Sequence, residues 1–282
     1  MGPLRIEHGG RGITPNAAKQ RQVLAMLLVN ANKPVRMTEL IHELWGENPP
    51  VSAVNTLQTY ILRIRRILTD HDPDPDQGHE QGQGSGSDSG KAVLLTRPAA
   101  YQFKVDRENL DLYVFDEHVS SGTEAFQRGD YPRASAQLRA ALQLCHGPIL
   151  TDVRIGPRLA VHCARLEEAV LRVLELRIEA DLQRGCHREL VSELTGLVAE
   201  HRTHERLHGQ LMIALYQAGR RVEALEVYQR LRNTFVQDLG IEPTDWLSRI
   251  QQAILSADLD TTELLSQRRP GGRPLTVLSA MG

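Results

Sequence analysis

Residues 44–68 read LWGENPPVSAVNTLQTYILRIRRIL, and this stretch decides the fold. Gly46 ends a preceding run of helical pattern, and Glu47-Asn48-Pro49-Pro50 is a rigid turn, because two prolines cannot continue a helix. From about Ser52 to Leu68 the apolar residues Val54, Leu57, Ile61, Ile64 and Leu68 step by three or four, one stripe of a helix. The opposite stripe holds Asn55, Thr59, Arg63 and Arg66, with Thr56 and Leu62 nearby and Arg65 on its flank. A helix that reads the major groove needs such groups. Asn can contact adenine, Arg can bond guanine or phosphate, and Thr or Leu can touch a thymine methyl. An ordinary solvated helix face carries the same residue types, so spacing alone leaves both readings open.

Outward from this stretch, more of the same architecture appears. Upstream, a short extended start (Leu4, Ile6, Ile13) precedes a helix capped by Thr14 or Asn16 and running to about Asn30. Lys33-Pro34 stops it, and Thr38 caps a second helix through Trp45. Downstream, two β-rich runs flank Arg97-Pro98-Ala99-Ala100 and predict a hairpin with an arginine at its tip. Strands, three helices and a closing hairpin describe a winged helix-turn-helix.

The second half is helical and repeats. Gly129, Gly185 and Gly219 each stand where a first helix should end, and Ala134, Leu190 and Ala224 follow five residues on. Gly185 and Gly219 are one tetratricopeptide period apart. Three stacked helical pairs are expected. The fold class is therefore mainly α, an α+β winged helix-turn-helix followed by an all-α tetratricopeptide-like repeat domain. The predicted division is a DNA-binding domain over 1–106, a helical domain over 107–256 and a flexible tail over 257–282.

Charge follows this division. The 282 residues carry 33 Lys or Arg and 35 Asp or Glu, a net of −2, which by itself argues against a uniformly basic nucleic-acid coat. That balance is a cancellation. Residues 1–69 with 91–106 carry 12 basic against five acidic residues, whereas 70–90 (DHDPDPDQGHEQGQGSGSDSG) carries six acids and no base. The latter has too little apolar surface to offset its ordering entropy and reads as a disordered loop. Aromatics are 4% of the chain, which disfavours a single-strand stacking platform.

Other chemistries find little support. Cys145, Cys163 and Cys186 lack metal or redox spacing, and their odd number speaks against a disulfide framework. His201, His204 and His208 with Glu205 could share a helix face, but no further ligand is evident and they read as a polar helix start. Phosphate loop, zinc-protease pair and nucleophile elbow are all missing from the sequence. No enzyme activity, cofactor or metal is expected. No apolar run approaches membrane length and no signal peptide is visible, so a cytoplasmic, nucleoid-associated protein without membrane contact is expected.

These residues also carry a family resemblance. Gly2-Pro-Leu, Lys19-Gln-Arg-Gln-Val-Leu-Ala, Leu44-Trp-Gly-Glu-Asn-Pro-Pro, Thr56 to Leu68 and Thr96-Arg-Pro-Ala-Ala-Tyr resemble the OmpR-type winged helix of the Streptomyces antibiotic regulatory proteins, the SARP family. Asp111-Leu-Tyr-Val-Phe, Gly147-Pro-Ile-Leu-Thr-Asp, Arg165-Leu-Glu-Glu, Glu205 to Arg220 and Leu239-Gly-Ile-Glu-Pro resemble that family's bacterial transcriptional activation domain.

The resemblance implies a pathway-specific activator for an antibiotic gene cluster. It would bind direct repeats in double-stranded promoter DNA as a homodimer and recruit RNA polymerase holoenzyme through its sigma factor. Asn55, Thr59 and Arg63 would read bases; Lys19, Arg21, Arg65, Arg66 and Arg97 would hold the backbone or minor groove. The turn Gly46, Glu47, Asn48, Pro49, Pro50 would face the polymerase. The rival expectation is a helical-repeat scaffold whose winged helix contacts protein.

Overall fold

A computed structural model describes residues 1–8, 10–69 and 93–257. The acidic segment 70–90, expected to be disordered, and the tail from 258 lie outside the described residues. The described residues form two compact units, and they do not follow the chain's order: the first holds residues 1–116 and 143–169, the second 117–142 and 170–257.

In the first unit a two-residue hairpin, β1 (Glu7–His8) and β2 (Arg11–Gly12), leads into α1 (Ala18–Val29). Thr14 does not cap α1; its hydroxyl accepts the Ile6 N–H at 2.8 Å and holds the extended start instead, while Ala17 is the N-cap. Val23, Leu24 and Leu27 of α1 are buried, as their spacing requires. Next come β3 (Pro34–Arg36) and α2 (Met37–Trp45). The expected cap Thr38 lies inside α2; the N-cap is Arg36, whose N–H is accepted by Glu39 at 3.0 Å, the carboxylate of a capping box.

The third helix, α3 (Ala53–Thr69), buries Leu57, Ile61 and Ile64. The wing follows as β4 (Val93–Arg97) and β5 (Ala100–Lys104), antiparallel, with β3 added on the other edge of β5. Sequence patterning missed β3. Pro34 heads it at the sheet edge, where a missing N–H costs least. The wing turn is Pro98-Ala99. Proline supplies the first φ, and Ala99 takes the left-handed second position at φ 50°, where its carbonyl accepts the Met37 N–H at 2.9 Å.

Four longer helices complete the picture: α4 (Asp111–Gln127), α5 (Tyr131–Gln143), α6 (Pro157–Gln183) and α7 (His187–Glu200). The segment 143–169, expected to belong wholly to the helical domain, packs with the winged helix. Leu150, Val153, Leu159 and Cys163 share one core with Leu24, Leu40, Leu57 and Phe103. Polar contacts seal the join. Glu43 is 2% exposed, and its carboxylate accepts the N–H groups of Gly156 (2.7 Å), Arg158 (2.8 Å) and Leu159 (3.1 Å). These are the orphan donors of the first turn of α6, so a side chain from α2 caps a helix more than a hundred residues away. Arg158 also bonds Glu39 at 3.0 Å, and Arg21 pairs with Asp152.

In the second unit α8 (Glu205–Gln217), α9 (Arg221–Thr234) and α10 (Asp245–Ser256) follow, with a π-helical turn at Phe235–Leu239. The three expected glycines end α4, α6 and α8 in one way. Gly129, Gly185 and Gly219 have φ of 77°, 81° and 80°, and each donates to the carbonyl three residues back. The next residue in each case, Asp130, Cys186 or Arg220, donates five residues back, at 2.9, 3.0 and 2.8 Å. This is the Schellman pattern, which positive φ makes cheap only for glycine. Val191, Leu194, Leu211, Leu215, Val227 and Leu247 share one core across α7 to α10. A buried ionic knot stiffens the start of the array: Asp181 accepts Ser135 Oγ (2.6 Å), Arg184 (2.8 Å) and Arg139 (3.0 Å).

Candidate nucleic-acid interface

The helix α3 is positioned by its buried stripe, and rotation of about 100° per residue places every third or fourth residue on the far side. Asn55, Thr59, Leu62, Arg63 and Arg66 all lie there and all are exposed. The structure thus brings Asn55, Thr59 and Arg63 onto one open face. Thr59 donates its hydroxyl hydrogen to the Asn55 carbonyl at 2.9 Å, four residues back. Arg63 and Arg66 make no side-chain hydrogen bond or ion pair with another described residue. Among the described residues nothing engages their guanidinium groups, whose donors suit a phosphate or a base edge.

The other basic residues have partners. Arg65 lies on the flank of α3 and turns toward the wing, donating through Nε to the Leu94 carbonyl (3.0 Å) and through Nη2 to Thr96 Oγ1 (2.6 Å). It braces the helix against β4. Arg97, at the end of β4, is exposed and held by Gln102 Oε1 at 2.9 Å, and Gln102 in turn donates to the Asn32 carbonyl at 2.8 Å. The wing arginine is therefore presented on a fixed stem.

At α1, Lys19 donates to the Leu44 carbonyl and lies 5.0 Å from the centre of the Trp45 ring. Burial pushes its pKa down, and the Arg154 charge adds to the shift. Arg21 is paired with Asp152 and also reaches the Leu4 carbonyl at 3.3 Å. Both are structural braces in this state, committed to the join with 143–169 and the end of α2.

The turn ahead of α3 is rigid and open. Gly46 takes φ 62° and donates to the His42 carbonyl at 2.8 Å, and Glu47 pairs with His42 at 3.0 Å. Residues 47–50 are exposed, and Val51 beyond them is wholly so. Sequence reasoning missed Gln102 and Glu43, which hold the wing arginine and the α2–α6 join. Each acts on a partner distant in sequence, so no local signal marks it. His204, considered for a metal, pairs with Glu175 at 3.1 Å, and His208 is buried against the His204 carbonyl.

Comparison with known proteins bears on this face and on the helical array together. A family model for the bacterial transcriptional activator domain matches residues 110–255, and one for the C-terminal domain of transcriptional regulatory proteins matches 14–79. The chain is 43% identical to the regulatory protein DnrI of Streptomyces peucetius over 92% of its own length and 91% of that protein's. It is 36% identical to the regulatory protein AfsR of Streptomyces coelicolor, of which it spans 27%. Among solved structures, Mycobacterium tuberculosis EmbR in complex with a low-affinity phosphopeptide superposes with a TM-score of 0.82 at 31% identity. That match covers 93% of this chain and 65% of the EmbR chain.

Proposed function

The chain belongs to the SARP family of transcriptional regulators, and from that premise we propose that it is a pathway-specific activator of a secondary-metabolite gene cluster. It binds direct repeats upstream of its promoters and recruits RNA polymerase holoenzyme through the sigma factor. Residues 1–106 read the DNA, and the helical domain over 107–256 joins two protomers on it. The observation that carries this reading is the exposed face of α3, where Asn55, Thr59 and Arg63 stand opposite the buried stripe. Asn55 suits adenine, and Arg63 suits guanine O6 and N7. Arg66 and Arg97 suit phosphate or minor groove, and Arg65 fixes the helix to the wing while lying within reach of the same backbone. Lys19 and Arg21 add positive charge near the start of α1. The turn from Gly46 to Pro50, pinned at both ends and otherwise exposed, is the polymerase-facing element.

Footprinting on the intergenic DNA beside the gene tests this directly. The expected result is protection of two or more repeated elements. If about five phosphates are neutralised, affinity falls with salt at a log–log slope of about −4 to −5. Arg63→Ala relaxes base preference at one position, costing about 1–3 kcal/mol there. No protection, with a flat salt response, would instead favour the protein-interaction scaffold.

A further inference from the structure

The exposed face of α3 carries an apolar side chain, Leu62. At about 100° per residue, Leu62 points roughly 130° away from the buried stripe of Leu57, Ile61 and Ile64, on the solvent side beside Asn55. It is 60% exposed. Single exposed leucines are common on protein surfaces. This one is ringed by Asn55, Gln58, Thr59, Arg63 and Arg66, all exposed and all polar or charged. Thr59, three residues before it, has given its hydroxyl hydrogen to the Asn55 carbonyl, so it offers a ligand its methyl and the acceptor lone pairs of its oxygen.

In the major groove the apolar group that a base pair displays is the thymine C5-methyl; the other groups on that edge are hydrogen-bond donors and acceptors. An apolar side chain on a reading face therefore has that one match. Resting on the DNA-binding reading above, we infer that Leu62, with the Thr59 methyl beside it, recognises thymine methyl groups. It thereby sets a specificity that the polar readers Asn55 and Arg63 do not supply. Those two fix adenine and guanine through hydrogen bonds, and Leu62 selects thymine by apolar contact.

Uracil tests this, because it differs from thymine by the methyl alone. The protected intergenic fragment is prepared once with thymidine and once with deoxyuridine throughout, and full-length wild type, Leu62→Ala, Leu62→Met and Arg66→Ala are titrated against both. Wild type binds the uracil fragment about fourfold more weakly for each methyl contacted. Leu62→Ala shrinks that difference to what the Thr59 and alanine methyls still contribute, by weakening binding to the thymine fragment while leaving binding to the uracil fragment near wild type. Leu62→Met keeps it, since the apolar contact survives. Arg66→Ala weakens both fragments by the same factor. The ratio of ratios isolates the Leu62–methyl coupling from any general effect of uracil on the duplex.

Equal binding of both fragments by wild type overturns the inference and leaves DNA binding standing. So does a Leu62→Ala variant that discriminates as strongly as wild type. Failure of wild type to bind either fragment overturns the DNA-binding reading, and the inference with it.

Discussion

Glu43 is the residue on which the first unit should depend most. Replacing it by alanine removes a buried carboxylate that accepts the N–H groups of Gly156, Arg158 and Leu159 at 2.7, 2.8 and 3.1 Å. Three costs combine. Loss of an N-cap is worth about 1 kcal/mol, loss of a negative charge at a buried helix N-terminus up to ~2 kcal/mol, and each stranded donor about 1–3 kcal/mol. These overlap, and a total of about 3–5 kcal/mol is expected, as when one partner of a buried charged pair is deleted. Against a typical domain stability of about 5–15 kcal/mol, that is a large fraction.

The chain's two tryptophans make the assay specific. Trp45 lies in the first unit and Trp246 in the second. Urea unfolding followed by Trp45 fluorescence in a Trp246→Phe background reads the first unit alone. Glu43→Ala should lower the midpoint without changing the slope, and Glu43→Gln should cost about 1–3 kcal/mol, since one amide oxygen still accepts while the NH2 faces donors. A Glu43→Ala variant within about 0.5 kcal/mol of its parent would mean the α2–α6 join carries no weight.

Three further outcomes are expected. Gly209→Ala should destabilise the second unit by about 1–3 kcal/mol or more in a Trp246-detected melt, because a Cβ there would stand 2.6 Å from Trp246 Cζ3, whose ring is buried. Arg66→Ala should weaken operator binding uniformly across sequences and reduce the salt slope by about one, measured by anisotropy at several salt concentrations. His208 is held below its ordinary pKa by burial, which outweighs the opposing hydrogen bond to the His204 carbonyl, while the charges of His204 and Arg230 add to the shift. The unfolded chain therefore binds a proton first as pH falls through 6.5, and the second unit loses stability from there downward. His208→Gln should flatten that decline in denaturation midpoints between pH 7.5 and 5.5.

What could be read from the sequence was local. The stripe of α3 follows from steps of three and four, the wing from β-rich runs around a proline turn, and the ends of α4, α6 and α8 from glycines whose positive φ is a one-residue matter. What could not be read depends on partners far along the chain. The three residues of β3 become a strand only because β5 is there to pair with them. Arg65 and Arg66 are indistinguishable as letters, yet one step of helix rotation turns the first to Thr96 and leaves the second in solvent. Lys19 and Arg21 look like free cations until Trp45 and Asp152 are brought beside them. The return of 143–169 to the winged helix was hidden for the same reason, since nothing in its pattern names Glu43 as the group that caps it.

That return has a consequence during synthesis. When residue 106 has been translated, every side chain of the reading face exists, but the donors that satisfy Glu43 and the apolar groups of Leu150, Val153 and Leu159 do not. The ribosome must add 53 residues to pass from Asp106 to Leu159, about 3–10 s at ordinary elongation rates. Throughout that interval the Glu43 carboxylate has Gln22 as a partner but lacks the α6 N–H groups that it caps. The core beneath the reading face is thus completed only when the start of α6 arrives, a helix encoded well after the face itself.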